Sequence, residues 1–396
     1  MFEPSAGSFT IKRPTGAIYL DHHATTPVDP RVATVVMRSM SEEFGNANGV
    51  ENLHGERAAR TVADAKEQIA SVLSAAAEDV HFTSGSTEAI QLALSHAIAA
   101  ADAPLRVAIS TVEHKAVIET VARAQRMGLC RMTCLPVDSE GRLEWSRFED
   151  VVRDGIDLVC VMAANNEVGT TYPVSEIAAA VRGAGGQVLV DATQAVGRLP
   201  IDVDSDGLDY VVVSAHKIYG PKGVGALVSP RFDRHHFLGL HGAHQPTPNV
   251  PGIAGMGQAF ELIAHEGARE NERLGQMRDR LLYRLQSQVK DLVVNGSMRN
   301  RLAHNLHFSA LGAPNDIVLM RLRGRVSLST GSACNTGAQE PSHVLRAMRL
   351  DADRIDSALR IGLGRSTSTE DVDTASTLIA DAIADVRQTV SGTNYA

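Results

Sequence analysis

Several short stretches of this chain carry residue types that can do chemistry. In VSAHKIYGPKGVGAL, Lys217 directly follows an apolar run, and Gly220, Gly223 and Gly225 behind it allow tight backbone turns. A primary amine in that setting can form an imine with an aldehyde. One segment earlier, VDATQAVG puts Asp191 at the end of another apolar run, with Gln194 three residues on. A carboxylate there can hold a protonated ring nitrogen and make an aromatic ring an electron sink, as pyridoxal phosphate requires. Ser214 and His216, just before Lys217, add polar groups to the same neighbourhood.

A phosphate site is also visible. FTSGSTEAIQLAL passes from a short apolar strand through Ser86 and Thr87 into a helical pattern, and backbone amides with hydroxyls at a helix start bind phosphate with help from the helix dipole. His114 follows the apolar run VAIS, where its ring can stack on a flat cofactor or move protons near neutrality. Of the four cysteines, Cys334 stands apart in LSTGSACNTGAQEPS, among small polar neighbours that leave a thiol accessible as a nucleophile. Cys130, Cys134 and Cys160 are expected to fill space, and no structural metal is assigned.

These residues need elements to position them. LVCVMAA, QVLV and YVVV are continuous apolar runs, as in strands buried on both faces of a parallel sheet, and EIAAAVRGAGG between the first two is a crossover helix. Polar residues follow each run, so they gather at the carboxyl edge of the sheet, where open α/β sheets bind ligands. ERAARTVADAKEQIASVLSA over 56–75 is amphipathic, with Ala58, Val62, Ala65, Ile69 and Leu73 on one stripe. A charge-rich helix runs from about Ala259 to Val289, then come strand-like pieces such as AHNLHFS and RVSLST and a closing helix, DVDTASTLIADAIADVRQTV. The expected organisation is an arm over 1–18, a large cofactor-binding domain over 19–258 and a small domain over 259–396.

Composition excludes other classes. The formal charge of −8 gives no field to neutralise a nucleic-acid backbone, so no direct nucleic-acid binding is expected. The 44% apolar and 21% charged residues fit an ordinary globular protein. No apolar run reaches the ~20 residues of a membrane span, and a cytoplasmic location without membrane contact is expected.

The motifs together resemble the cysteine desulfurases of the bacterial iron–sulfur and nitrogen-fixation type, from YLDHHATTPVDPRV to RIGLGRSTSTED. The resemblance implies fold-type I of the pyridoxal-phosphate enzymes: a mainly parallel seven-stranded sheet between helices, plus a smaller α+β domain. It implies Lys217 as the cofactor lysine, Ser86, Thr87, Ser214 and His216 around the phosphate, and Asp191 on the pyridinium nitrogen. Gln194 would contact the phenolic oxygen, and His114 would stack and transfer protons. Asn166 and Arg360 would hold the carboxylate of L-cysteine. Cys334 would take the sulfur as a persulfide, alanine would leave, and an acceptor protein would collect the sulfur. Active sites at the interface of a homodimer are implied as well. The segment HGAHQPTPNVPGIAGMG is shorter than its usual counterpart and lacks arginine; Thr247 aligns with a threonine that reaches the neighbouring subunit's phosphate. That departure suggests a specialised branch, such as one serving DNA phosphorothioation beside iron–sulfur assembly and tRNA thiolation. The alternative is a selenocysteine lyase or related lyase, which would tolerate loss of Cys334.

Overall fold

The computed structural model describes residues 16–233, 247–331 and 341–393. The described chain opens with β1 (Ile18–Tyr19), α1 (Pro30–Ser41) and α2 (Leu53–Leu73). It then alternates β2 (Val80–Thr83), α3 (Ser86–Ala99), β3 (Leu105–Ser110), α4 (Lys115–Arg126), β4 (Cys130–Leu135), α5 (Trp145–Arg153), β5 (Leu158–Met162), α6 (Val174–Gly183), β6 (Gln187–Asp191), β7 (Tyr210–Ser214) and β8 (Gly225–Val228). A helix of 39 residues, α7 (Val250–Gln288), leads into β9 (Leu292–Val294), β10 (Asn305–Ala310), α8 (Asn315–Leu322), β11 (Val326–Ser327), α9 (His343–Ala347), α10 (Ala352–Asp356), β12 (Ala358–Gly362) and α11 (Thr369–Thr393).

Seven strands form the central sheet in the order β2-β8-β7-β6-β5-β3-β4, and only β8 runs against the others. The continuous apolar runs have a plain cause. Along β6, Val188 and Val190 enter the core shared with α6 and α7, while Leu189 between them packs with α3 and α4; Val211, Val212 and Val213 of β7 alternate in the same way. Successive side chains of a strand point to opposite faces, and here both faces are covered. This mainly parallel seven-stranded sheet between helices is the architecture that the resemblance implied, and its buried parallel strands are those the apolar runs marked.

A second core joins Leu274, Leu281 and Leu285 of α7 to Leu306 and Phe308 of β10, Leu359 and Ile361 of β12, and Ile379 and Ile383 of α11. Ile18 and Leu20 from the start of the described chain belong to it, and β1 pairs with β11 in parallel. The expected 258/259 boundary falls inside α7, whose first half (Ile253, Met256, Phe260 and Ile263) packs in the first core. This helix starts at Val250 and not near Ala259: the Asn249 side chain caps it by accepting the Gly252 N–H at 3.1 Å and Pro251 stands in its first turn, while these turns lack the charges that marked the later ones. They are small for a steric reason: a Cβ on Gly257 would lie 2.8 Å from Ala65 Cα in α2. The expected strand RVSLST shrinks to the two residues of β11. Cys130 and Cys160 are buried, but Cys134 does not fill space: it sits on edge strand β4 and is exposed.

Candidate active site

The carboxyl ends of the parallel strands open onto a cavity of about 660 Å³. Ser86, Thr87, His114, Asn166, Asp191, Gln194, Ser214, His216, Lys217 and Arg360 all line it, so one space collects nearly every residue singled out by sequence. Lys217 enters from the single turn after β7, and its Nζ donates to the carbonyls of His23 and Ala24 at 2.5 and 2.8 Å. Desolvation lowers its pKa, Arg360 lowers it further, and Asp21 and Asp191 oppose; the amine ends at about 8. Its oxygen partners are neutral, which leaves it nucleophilic near physiological pH.

Asp191 ends β6, with Oδ1 accepting the Thr193 N–H at 3.0 Å. His114 caps α4: its Nδ1 accepts the Ala116 N–H at 3.1 Å, which leaves the ring proton on Nε2. Desolvation pulls its pKa down, with Asp191 opposing and Lys217 adding to the drop. The His216 ring lies 3.1 Å from Thr25 Oγ1, and desolvation with the charges of Lys217 and Lys222 pushes it down to about 4, so it is neutral.

Helix α3 starts without a side-chain cap on Gly85, whose φ of 155° and ψ of 177° suit only glycine. A Cβ on Gly225 would lie 2.8 Å from Gly85 Cα, so two glycines bring the helix start against β8. Ser86 Oγ and Thr193 Oγ1 stand 2.7 Å apart beside it. Uncapped first-turn amides with hydroxyls around them form an anion cradle.

Arg360 lies on β12, opposite His307 of β10. It donates to the Asn166 carbonyl at 2.9 Å and pairs with Asp21 at 2.8 Å. Its Nε is buried without a hydrogen-bond partner among the described residues. Gln194 turns toward His23: its Nε2 donates to the His23 carbonyl at 3.0 Å, and its Oε1 lies 3.1 Å from His23 Nδ1. Thr247 is not brought to this cavity within one chain. It lines a neighbouring one of about 720 Å³, whose wall shares Ser84, Glu88 and Gly223 with the first. Cys334 lies outside the described residues. On either side of its segment, Gly331 and His343 line the cavity, and Ser342 Oγ donates to Glu167 Oε2 at 2.5 Å.

Sequence reasoning missed His23, Thr25, Thr193, Glu167 and His343 on this wall. The first two had a signal: HHATTP is a polar run just past the apolar IYL, the pattern that marked Asp191 and Lys217.

Residues 18–374 match the family model of class-V aminotransferases. The chain is 39% identical over 379 residues to the cysteine desulfurase IscS of Anaeromyxobacter sp. (strain Fw109-5), covering 94% of this chain and 93% of that one. This chain belongs to the cysteine desulfurase family. Solved structures agree on the fold of this desulfurase. A NifS-like protein superposes with a TM-score of 0.84 at 29% identity, covering 93% of this chain and 99% of that one. SspA in complex with cysteine gives 0.76 at 27% identity, covering 88% and 99%. The enzyme depends on pyridoxal 5'-phosphate, as its family does, and its reaction takes sulfur from L-cysteine. The cavity fits that cofactor: an amine resting on neutral carbonyls, a carboxylate at a strand end and an uncapped helix start are the donor set it needs.

Proposed function

We propose that the desulfurase reaction runs in the 660 Å³ cavity with Lys217 as cofactor lysine and proton carrier, and with Cys334 as sulfur acceptor. The observation that carries this assignment is the meeting of Lys217, Asp191, His114 and Arg360 in one space. The bound cofactor supplies an electron sink for charge developed at the substrate α-carbon. Asp191 holds the ring nitrogen protonated, and the start of α3 with Ser86, Thr87, Ser214 and His216 holds the phosphate. Arg360, together with Asn166, binds the substrate carboxylate and takes it in exchange for its contact with Asp21. Lys217, with an amine pKa near 8, takes the α-proton, and His114, proton on Nε2, serves as donor on the same wall.

Cys334 thiolate then bonds to the substrate sulfur as the carbon–sulfur bond breaks. The electron pair stays on the carbon side, protonation there yields alanine, and the sulfur remains on Cys334 as a persulfide. A protein acceptor collects it, and a reducing, cytoplasmic setting suits a chain that relies on a free thiol. We also propose a homodimer, in which Thr247 serves the partner's cofactor. The sulfur would go to iron–sulfur assembly, tRNA thiolation or DNA phosphorothioation, as the acceptor decides.

The test is alanine and sulfide production from L-cysteine by the intact protein and by Cys334→Ser, with the cofactor's visible absorbance followed in both. The reading stands if Cys334→Ser still changes absorbance with cysteine yet yields neither product. Unchanged product yields would remove Cys334 from its role and favour a selenocysteine-type lyase.

A further inference from the structure

Behind Gln194 lies a chain of hydrogen bonds whose directions can be fixed one after another. Gln194 Nε2 sits 3.0 Å from the His23 carbonyl, an obligatory acceptor, so that amide atom is the nitrogen and Oε1 must be the atom 3.1 Å from His23 Nδ1. An amide oxygen can only accept, so His23 carries its proton on Nδ1. Nε2 of the same ring is then bare and accepts from Asn305 Nδ2 at 3.1 Å. The assignment closes on itself at the far end. Asn305 Nδ2 also donates to the Glu167 carbonyl at 3.0 Å, and its Oδ1 accepts from Arg301 at 2.7 Å.

The ring that links the two amides has no other freedom. His23 is only 1% exposed, stacks on His304 with centroids 4.3 Å apart, and has Gly362 so close that a Cβ there would meet its Cδ2 at 2.7 Å. The charged groups facing it are Arg360, Lys217 and Arg198; they add to the effect of burial in keeping it neutral. A protonated ring would set an N–H against the Asn305 N–H.

We infer that His23 is a positioning residue that locks the Gln194 amide with its nitrogen toward the cavity, so that the second N–H of Nε2 is presented to the cofactor's phenolic oxygen. This rests on the proposed facing of Gln194 toward the cofactor. The anchor at the other end is Asn305, on the strand paired with the one that bears Arg360, so the ring-side donor and the carboxylate-binding arginine share one framework.

The experiment uses the cofactor-loaded enzyme and reads the pH midpoint of its visible absorbance change in the wild type, Gln194→Ala, His23→Phe and the double variant. A hydrogen bond to an anionic oxygen favours the form in which that charge is least shared, so its loss raises the midpoint. Gln194→Ala should raise it by about one unit, a tenfold change in the protonation equilibrium. His23→Phe keeps an aromatic ring to stack on His304 but removes both nitrogens. It should raise the midpoint in the same direction, add nothing in the double variant, and lower kcat with KM unchanged. A midpoint unmoved by Gln194→Ala defeats the placement of Gln194 against the cofactor. A midpoint moved by Gln194→Ala but not by His23→Phe defeats the positioning role alone, as would a His23→Phe shift that persists undiminished in the double variant. If His23→Phe does not fold, nitrogen-15 spectra of the histidine-labelled wild type decide: a neutral ring with its proton on Nδ1 and coupled to Gln194 supports the lock, and a proton on Nε2 of His23 overturns it.

Discussion

Two buried regions of this enzyme treat charge in opposite ways. Behind the cavity, Glu270 takes bonds from Arg198 at 2.8 Å, Arg365 at 2.7 Å and the Tyr219 hydroxyl at 2.7 Å, while Asp29 binds Arg365 at 2.6 Å and Arg31 at 2.8 Å. Burial would raise Glu270, yet Arg198 and Arg365 bring it down to about 2. At the cavity, Lys217 donates to neutral carbonyls and slides down to about 8; beneath it, burial raises Glu113, which accepts the Met162 N–H, well above the carboxylate range. Burial is common to both places and the partners differ. In the cluster the paired charges stay ionised, whereas the desolvated Lys217 and Glu113 move toward their neutral forms.

The contrast breaks most severely at Lys217. Lys217→Ala should lower alanine formation by about 10³-fold or more and free the cofactor during gel filtration. Full activity in that variant would mean that the amine pKa has no chemical purpose. Glu270→Ala attacks the other side, since it strands Arg198 and Arg365 without their anion. The expected cost is about 3–5 kcal/mol in denaturant unfolding; less than about 1 kcal/mol would show that the cluster is not a structural clasp. The same carboxylate predicts an acid limit. Its folded pKa lies below its ordinary 4.5, so its stabilisation is complete above about pH 4.5 and fades as pH falls toward 2, which thermal melts of wild type and Glu270→Gln should show as converging curves.

Lys217 sharpens the comparison through kinetics. As the proposed cofactor lysine it must be neutral to react, so capture by apoprotein should slow about tenfold per pH unit below a midpoint near 8; a midpoint near 10.5 would deny the desolvation effect. The smallest effect belongs to Arg60 and Glu56, an exposed pair at 3.3 Å on α2, where Arg60→Ala should change unfolding free energy by less than about 0.5 kcal/mol.

Much of this was legible in the chain itself, for reasons tied to particular strands. The runs that became β5, β6 and β7 are uninterrupted because both faces of the sheet are covered, and a parallel sheet sends the residue after each run to one edge. Asp191, Ser214 and Lys217 therefore met without any long-range knowledge. His23 was not visible in that way: its partners Gln194 and Asn305 lie 171 and 282 residues away, and nothing local in HHATTP distinguishes a locked ring from a loop histidine. The ion cluster escaped notice as well, since Asp29, Arg198, Glu270 and Arg365 each look like an ordinary charge. The early start of α7 was hidden by glycines whose purpose is close approach to α1 and α2, a matter of neighbours and not of period.

The second core has a consequence for synthesis on the ribosome. It contains Ile18 and Leu20 and also Val386, so it draws on both ends of the described chain. The sheet can assemble as its strands emerge, but the strand holding Arg360 cannot be packed until α11 has been made. The Lys217 side of the cavity can thus form first and the Arg360 side last, so the cavity is complete only once α11 has been made.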